Sequence, residues 1–146
     1  MADRPRVAGG LLAAGAANRL LLLLVGRLGL PLGGVVVLRT RGRRTGRVHE
    51  VPVIPVAVGG ADHLVAPRGT TDWVRNLLAG GGELRRGRRV RPVRAVEVDG
   101  DDRIRVLTAY VTANRRRNGR FFDLPERFTE DDVRRIADRH PVVRLD

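Results

Sequence analysis

The chain has 146 residues, enough for one packed domain. Hydrophobic residues make up 42% and charged residues 30%, the balance of a folded chain rather than a disordered one. Its net charge is +12, all 28 basic residues are arginine, and Lys, Ser, Gln and Cys are absent, which excludes serine and cysteine nucleophiles, Schiff-base and P-loop lysines, thiolate metal sites and disulfides.

Residues 7–38 are the most apolar part, and Leu20 to Val25 is an unbroken aliphatic run. A membrane-spanning helix needs about 20 apolar residues in a row. Arg19 and Arg27 interrupt this stretch, and Gly26, Gly29, Pro31, Gly33 and Gly34 break its second half. The pattern predicts a helix over residues 8–27 and then a glycine-rich turn. That helix either covers the core or a subunit contact, or lies peripherally on a membrane. A cleavable signal peptide fits less well, because the stretch is long and broken and Asp3 weakens the basic start.

Val35 to Leu38 is aliphatic and mostly β-branched and runs into Arg39-Thr40, a strand pattern. Gly42 and Gly46 bracket a turn. Val48 to Val58 alternates, and its prolines Pro52 and Pro55 suit an edge or a bulge. Gly59-Gly60 is a hairpin turn, and His63 to Ala66 a short strand. Thr70, Thr71 and Asp72 offer N-caps to a short helix carrying Trp73, Val74, Leu77 and Leu78, which Gly80-Gly81-Gly82 ends. Glu83 to Arg86 and Arg88 to Val98 form a hairpin around Gly87. Asp99 to Asp102 turns and caps a helix through Ala113, and Asn114 to Gly119 reads as a basic loop. Thr129 and Asp132 have capping-box spacing, with Asp in place of Glu or Gln. The helix they open stops at His140-Pro141, and Val142 to Leu145 is the last strand.

The sum is an α+β chain, mainly β: about six strands, mostly antiparallel, in a closed or split barrel. An N-terminal helix, a short inserted helix and C-terminal helices accompany it. Residues 1–34 are the apolar helix and linker of this single domain, and residues 35–146 its barrel.

His49, His63 and His140 lie far apart and form no metal-ligand cluster, so no metal is expected. The carboxylates sit at turns and helix starts, where they cap, and no acid/base pair stands out. A hydrolase is unsupported. Arg39, Arg41, Arg43, Arg44 and Arg47 crowd one turn with no acid among them. Glycines let the backbone bend while guanidiniums, a hydroxyl and free amides converge, which suits a phosphate. A solvated basic hairpin is the plainer alternative. Pro67-Arg68-Gly69 leads into the helix start at Trp73, an anion-favouring end. Asn76 follows one turn later and binds a ligand or faces solvent. Nucleic-acid binders interleave stacking aromatics with basic runs, and neither the run from Arg39 to Arg47 nor the second one, Arg85, Arg86, Arg88, Arg89, Arg91 and Arg94, holds an aromatic.

These signals, in this order, resemble the deazaflavin-dependent nitroreductase family of the flavin/deazaflavin split β-barrel superfamily. The residues carrying the likeness are Leu20–Val25, Val35–Thr40, the turn Gly42-Arg43-Arg44-Thr45-Gly46-Arg47, Val51-Pro52-Val53, Gly59-Gly60, Leu64–Ala66 and Asp72-Trp73-Val74-Arg75-Asn76. The match is close over residues 18–98 and holds in outline to Asp146. It implies a split β-barrel that binds coenzyme F420, with flavin mononucleotide (FMN) as the alternative. It places the cofactor's phosphate and acidic tail on Arg43, Arg44, Thr45 and Arg47, and backbone contacts on Pro52, Val53 and Ile54. Ala66, Arg68, Trp73 and Asn76 complete the implied cofactor site. The implied reaction is hydride transfer from the reduced deazaflavin, which needs no protein nucleophile. Tyr110, the single tyrosine, is the candidate proton donor.

Nitro-reducing members carry several C-terminal tyrosines; here Phe121, Phe122 and Phe128 stand in that region and imply an apolar pocket for a quinone or an enone. A non-catalytic F420- or lipid-binding barrel and a nucleic-acid-binding module are the competing classes. The expected partners are the anionic cofactor, a small hydrophobic substrate and a second copy of the chain. The expected location is the cytoplasm, with membrane association through residues 8–27 as the alternative.

Overall fold

A computed structural model describes residues 17–28 and 34–146. The predicted helix over residues 8–27 falls partly outside them. Its described part, α1 (residues 17–27), is α-helical at first and π-helical over Leu22–Arg27. Among the described residues no helix is long and apolar enough to cross a membrane.

Eight strands follow: β1 (Val36–Arg41), β2 (Val48–Val53), β3 (Val56–Val58), β4 (Ala61–Val65), β5 (Gly82–Arg86), β6 (Arg89–Val93), β7 (Ala95–Glu97) and β8 (Val142–Leu145). They form two antiparallel four-stranded sheets, ordered β2-β1-β5-β6 and β3-β4-β8-β7. Six strands were expected because two of them look continuous in sequence. Each breaks where it leaves one sheet for the other. The Val48 to Val58 stretch breaks at Ile54-Pro55, since proline cannot donate to a ladder. The Arg88 to Val98 stretch breaks at Arg94, which instead pairs with Asp146 through N–H···O bonds of 3.2 and 2.9 Å. These two bent strands join the sheets at both edges and make a split β-barrel. Pro52 and Pro92 sit in β2 and β6, the edge strands of the first sheet, where a missing donor costs least.

Neighbouring residues Val37 and Leu38 of β1 are both buried because each face of the first sheet is covered. Val37 packs with Val25 of α1, and Leu38 faces the barrel interior. The inserted helix α2 (Asp72–Gly80) packs Val74 and Leu77 into that interior against Leu64, Leu84 and Val143. Burial of each such side chain contributes about 1.5–3 kcal/mol. The helix ends at Gly81, whose φ of 72° suits glycine and whose added Cβ would lie 2.8 Å from the Val93 carbonyl.

Two further helices, α3 (Gly100–Asn118) and α4 (Glu130–Ile136), cover the second sheet through Ile104, Leu107, Val111, Val133 and Ile136. The basic stretch after Asn114 is helical and not a loop. The helix kinks at Asn114 (φ −119°, ψ 20°) and continues. There the Asn114 amide donates to the Tyr110 carbonyl at 3.0 Å, and Arg115 to Arg117 suit the negative end of the helix dipole. Thr129 and Asp132 form the reciprocal capping box. Asp99 stands at the N-cap of α3 without capping it, because its carboxylate accepts from Arg103 at 2.7 Å.

Arg103 is nearly buried and ties three elements together. It donates to the Val98 carbonyl at 2.9 Å and the Ala137 carbonyl at 3.4 Å, and pairs with Glu97 and Asp99. Arg103→Met should strand the Val98 carbonyl, since the Ala137 carbonyl still accepts from His140 N–H at 3.1 Å, and cost about 1–3 kcal/mol, read as a lower urea midpoint with an unchanged slope.

Candidate functional site

A cavity of about 660 Å³ opens where the barrel meets the helices. One wall is the end of β2 and its exit, Val51 to Ile54, together with Val35. A second is the end of β4 and the loop after it, Val65 to Arg68. The first turn of α2 adds Thr71 and Trp73, and α1 adds Asn18 and Leu21. The C-terminal end of α3 and the turn after it supply Tyr110, Arg117, Asn118, Arg120 and Phe121. Since β2 is an edge strand, one side of its backbone carries no ladder bonds among the described residues.

The basic turn closes tightly. Gly42 N–H donates to the Arg47 carbonyl at 2.7 Å, Gly46 N–H to the Gly42 carbonyl at 2.8 Å, and Arg47 N–H to Thr45 Oγ1 at 3.2 Å. A Cβ on Gly42 would stand 2.8 Å from Thr45 Oγ1, so a larger residue there would displace the hydroxyl that accepts from Arg47 N–H. The turn docks on α2 through Arg43. Its backbone N–H and its guanidinium both donate to Asn76 Oδ1, at 3.2 and 3.0 Å, and the guanidinium lies 3.4 Å from Asp72. Asn76 is only 3% exposed and does not line the cavity. It is a clamp rather than a pocket residue: its carbonyl is spent on Arg43. Arg44 and Arg47 remain exposed, with no carboxylate partner among the described residues.

The first turn of α2 therefore serves two places at once. Asp72 and Asn76, one helical turn apart, hold the basic turn, while Thr71 and Trp73 face the cavity. Thr71 occupies the N-cap position but its hydroxyl makes no cap bond. That oxygen is buried without a hydrogen-bond partner among the described residues.

Tyr110 lines the cavity although only 2% of it is exposed. The Asn118 amide donates to its hydroxyl oxygen at 2.7 Å, which leaves the phenolic hydrogen free to bond elsewhere. Burial raises the phenol above its ordinary pKa, and the Asn118 bond opposes this only in part. It stays protonated at neutral pH. Of the three phenylalanines expected in the pocket, Phe121 alone lines it. Phe122 is core, with its ring 6.0 Å from Tyr110 and 4.5 Å from His140, and Phe128 packs under Arg115. The alternation of Phe121 and Phe122 between cavity and core follows from the turn they occupy, which periodicity did not reveal.

Of the expected site residues, Pro52, Val53, Ile54, Ala66, Arg68, Trp73 and Tyr110 are brought together at the cavity. Arg43, Arg44, Thr45 and Arg47 form the separate basic turn. Thr71, Arg117, Asn118 and Arg120 were not singled out from sequence. The arginines could have been found from their place at a helix C-terminus, whereas the vacancy at Thr71 Oγ1 has no sequence signal.

The model of one protein family, the F420H(2)-dependent quinone reductases, matches residues 19–120. A solved structure titled as an F420-H2 dependent reductase (FDR-A) is similar over 77% of this chain and 94% of its own, at 19% identity and a TM-score of 0.52. A second, titled as a domain-swapped dimer, is similar over 77% of this chain and 80% of its own, at 21% identity and a TM-score of 0.55. No curated protein matches the chain in sequence.

His140 sits behind the Ala66-Pro67 wall, buried, with no hydrogen-bond partner for Nδ1 among the described residues. Desolvation lowers its pKa, against hydrogen bonding to Ala66 and Pro67 that raises it. The folded chain thus prefers the neutral ring, while the unfolded chain takes up a proton at about 6.5. This contribution to stability is complete above that value and is lost as pH falls below it, toward the lowered folded pKa. Urea titrations at about pH 7.5 and 5.5 should show that loss in the native protein and a smaller one in His140→Gln.

Proposed function

Because the chain belongs to the F420H(2)-dependent quinone reductase family, we propose that it passes a hydride from reduced coenzyme F420 to a hydrophobic acceptor, a quinone or enone ahead of a nitro compound. The observation that carries this reading is the double duty of α2, which joins a carboxylate-free basic turn to an apolar cavity. The residues present suit the cofactor. Arg44, Arg47 and the amides of the turn match its phosphate and acidic tail, and Arg68 adds a cation at the cavity. The free edge of β2 from Pro52 to Ile54, Ala66 and Trp73 offer a wall for the ring system. The unpaired Thr71 hydroxyl offers it a hydrogen bond. When bound, F420H2 supplies the hydride.

The chain's own tasks are then binding, orientation, exclusion of water and one proton. A quinone that accepts a hydride also takes up a proton to become a hydroquinone. Tyr110 holds a phenolic hydrogen beside the cavity, and burial keeps it there at neutral pH. Asn118 fixes the direction of the phenol by occupying its oxygen as a donor.

Protein purified from a host that makes F420 should carry the cofactor, visible by absorbance and mass. Fluorescence titration of F420 against Arg44→Ala should show affinity weakened about tenfold, the loss of about 1.4 kcal/mol, with an unchanged melting temperature because exposed charges add little to folding. Unchanged affinity would remove the turn from the cofactor site. With a quinone acceptor, Tyr110→Phe should lower kcat about a hundredfold; full activity in that variant would mean the proton comes from solvent.

A further inference from the structure

One guanidinium at the cavity mouth, that of Arg120, has no task in binding the cofactor or in hydride transfer to a neutral quinone. Phe121 holds a guanidinium carbon from each of two arginines near its ring: Arg68 at 5.0 Å and Arg120 at 4.9 Å. Such contacts, attraction of a cation to the face of a ring, favour one position for each guanidinium. They leave the N–H donors unused. Among the described residues, neither arginine pairs with a carboxylate or donates a hydrogen bond to the protein. Arginines on the nearby helix surfaces are matched differently: Arg134 with Asp101 and Glu130, Arg105 with Asp102, Arg135 with Asp132. The nearest acid in sequence, Asp123, lies 3.8 Å from Arg139.

Arg117 lines the cavity as well, and no Asp or Glu lines it among the described residues. The mouth is therefore positive while the walls are apolar. A cavity shaped only for a neutral acceptor gains nothing from guanidiniums at its rim, since part of their hydration is lost when the acceptor enters. An acceptor with its own anionic group would return that loss through charge-assisted, bidentate hydrogen bonds. In the proposed function the cofactor's phosphate goes to the basic turn, which is held by Asn76 and does not line the cavity.

We propose that Arg120, positioned against Phe121 beside Arg68, selects acceptors that carry a carboxylate, sulfonate or phosphate on their apolar reducible ring. This rests on the proposed function, with the acceptor entering the same cavity beside the cofactor's ring. Arg120 is a specificity residue: it meets the substituent and leaves the reacting carbonyl to Tyr110.

The test compares 1,4-naphthoquinone with its 2-sulfonate in the F420-loaded enzyme. Taking the ratio of kcat/KM for the two within each variant cancels much of their intrinsic difference in reactivity. That ratio should fall about tenfold from wild type to Arg120→Gln, the size of one charge-assisted bond, and recover in large part in Arg120→Lys. An unchanged ratio overturns the proposal. So does a weaker F420 titration in Arg120→Gln with the ratio intact, which would assign Arg120 to the cofactor. Binding of naphthalene-2-sulfonate, followed by quenching of Trp73 fluorescence, needs no turnover. If no quinone is reduced but this binding weakens in Arg120→Gln, the anion site stands and the reductase reading falls. If binding is equal in both proteins, the anion site falls.

Discussion

The carbonyl oxygen of one buried asparagine holds the site in place. Asn76 Oδ1 accepts from the backbone N–H and the guanidinium of Arg43 together. A buried acceptor left empty would cost about 1–3 kcal/mol, so the turn and α2 stabilise each other's position. Without that contact the residue 42–47 turn would be an arginine-rich hairpin in solvent. With it, Arg44 and Arg47 stand beside the helix whose first turn also builds the cavity. The clamp in turn depends on α2 being anchored, and α2 is anchored because Val74 and Leu77 fill the barrel interior.

The electrostatic plan has two separated parts. The turn is carboxylate-free except for Asp72, which sits where it meets Arg43 and steadies it. The cavity wall is apolar along β2, β4 and Trp73, positive at the mouth, and carries one phenol. Desolvation raises that phenol, so a hydrogen is present at neutral pH rather than a negative charge. Such a space suits an apolar ring system that needs a proton and tolerates no nucleophile. This agrees with a chain that has no Ser, Cys or Lys.

Much of this was legible in the residues. The alternation in Val48 to Val58, the Gly59-Gly60 turn, the Thr129-Asp132 box and the Val142 to Leu145 strand all lie where local pattern places them. Proline chemistry even marked β2 as an edge. What misled was continuity. Alternating residues give no sign of which sheet they pair with, so two bent strands read as single ones and eight strands read as six. The α3 extension misled for the opposite reason. Asn114 and a run of arginines look like a loop, yet the Asn114 side chain bonds back to Tyr110 and the helix resumes.

By itself, the sequence determined that this chain is a basic α+β fold with an arginine-rich bend and without Ser, Cys or Lys. Those are properties of residue type and short-range spacing. Only the tertiary structure decided which groups are already spent and which are open. Asn76 is occupied by Arg43, Asp99 by Arg103, and Phe122 by the core, while Thr71 Oγ1 and the guanidinium of Arg120 have no hydrogen-bond partner among the described residues. The physical reason is that a polar group's availability depends on partners many residues away, and folding alone brings those within hydrogen-bonding reach.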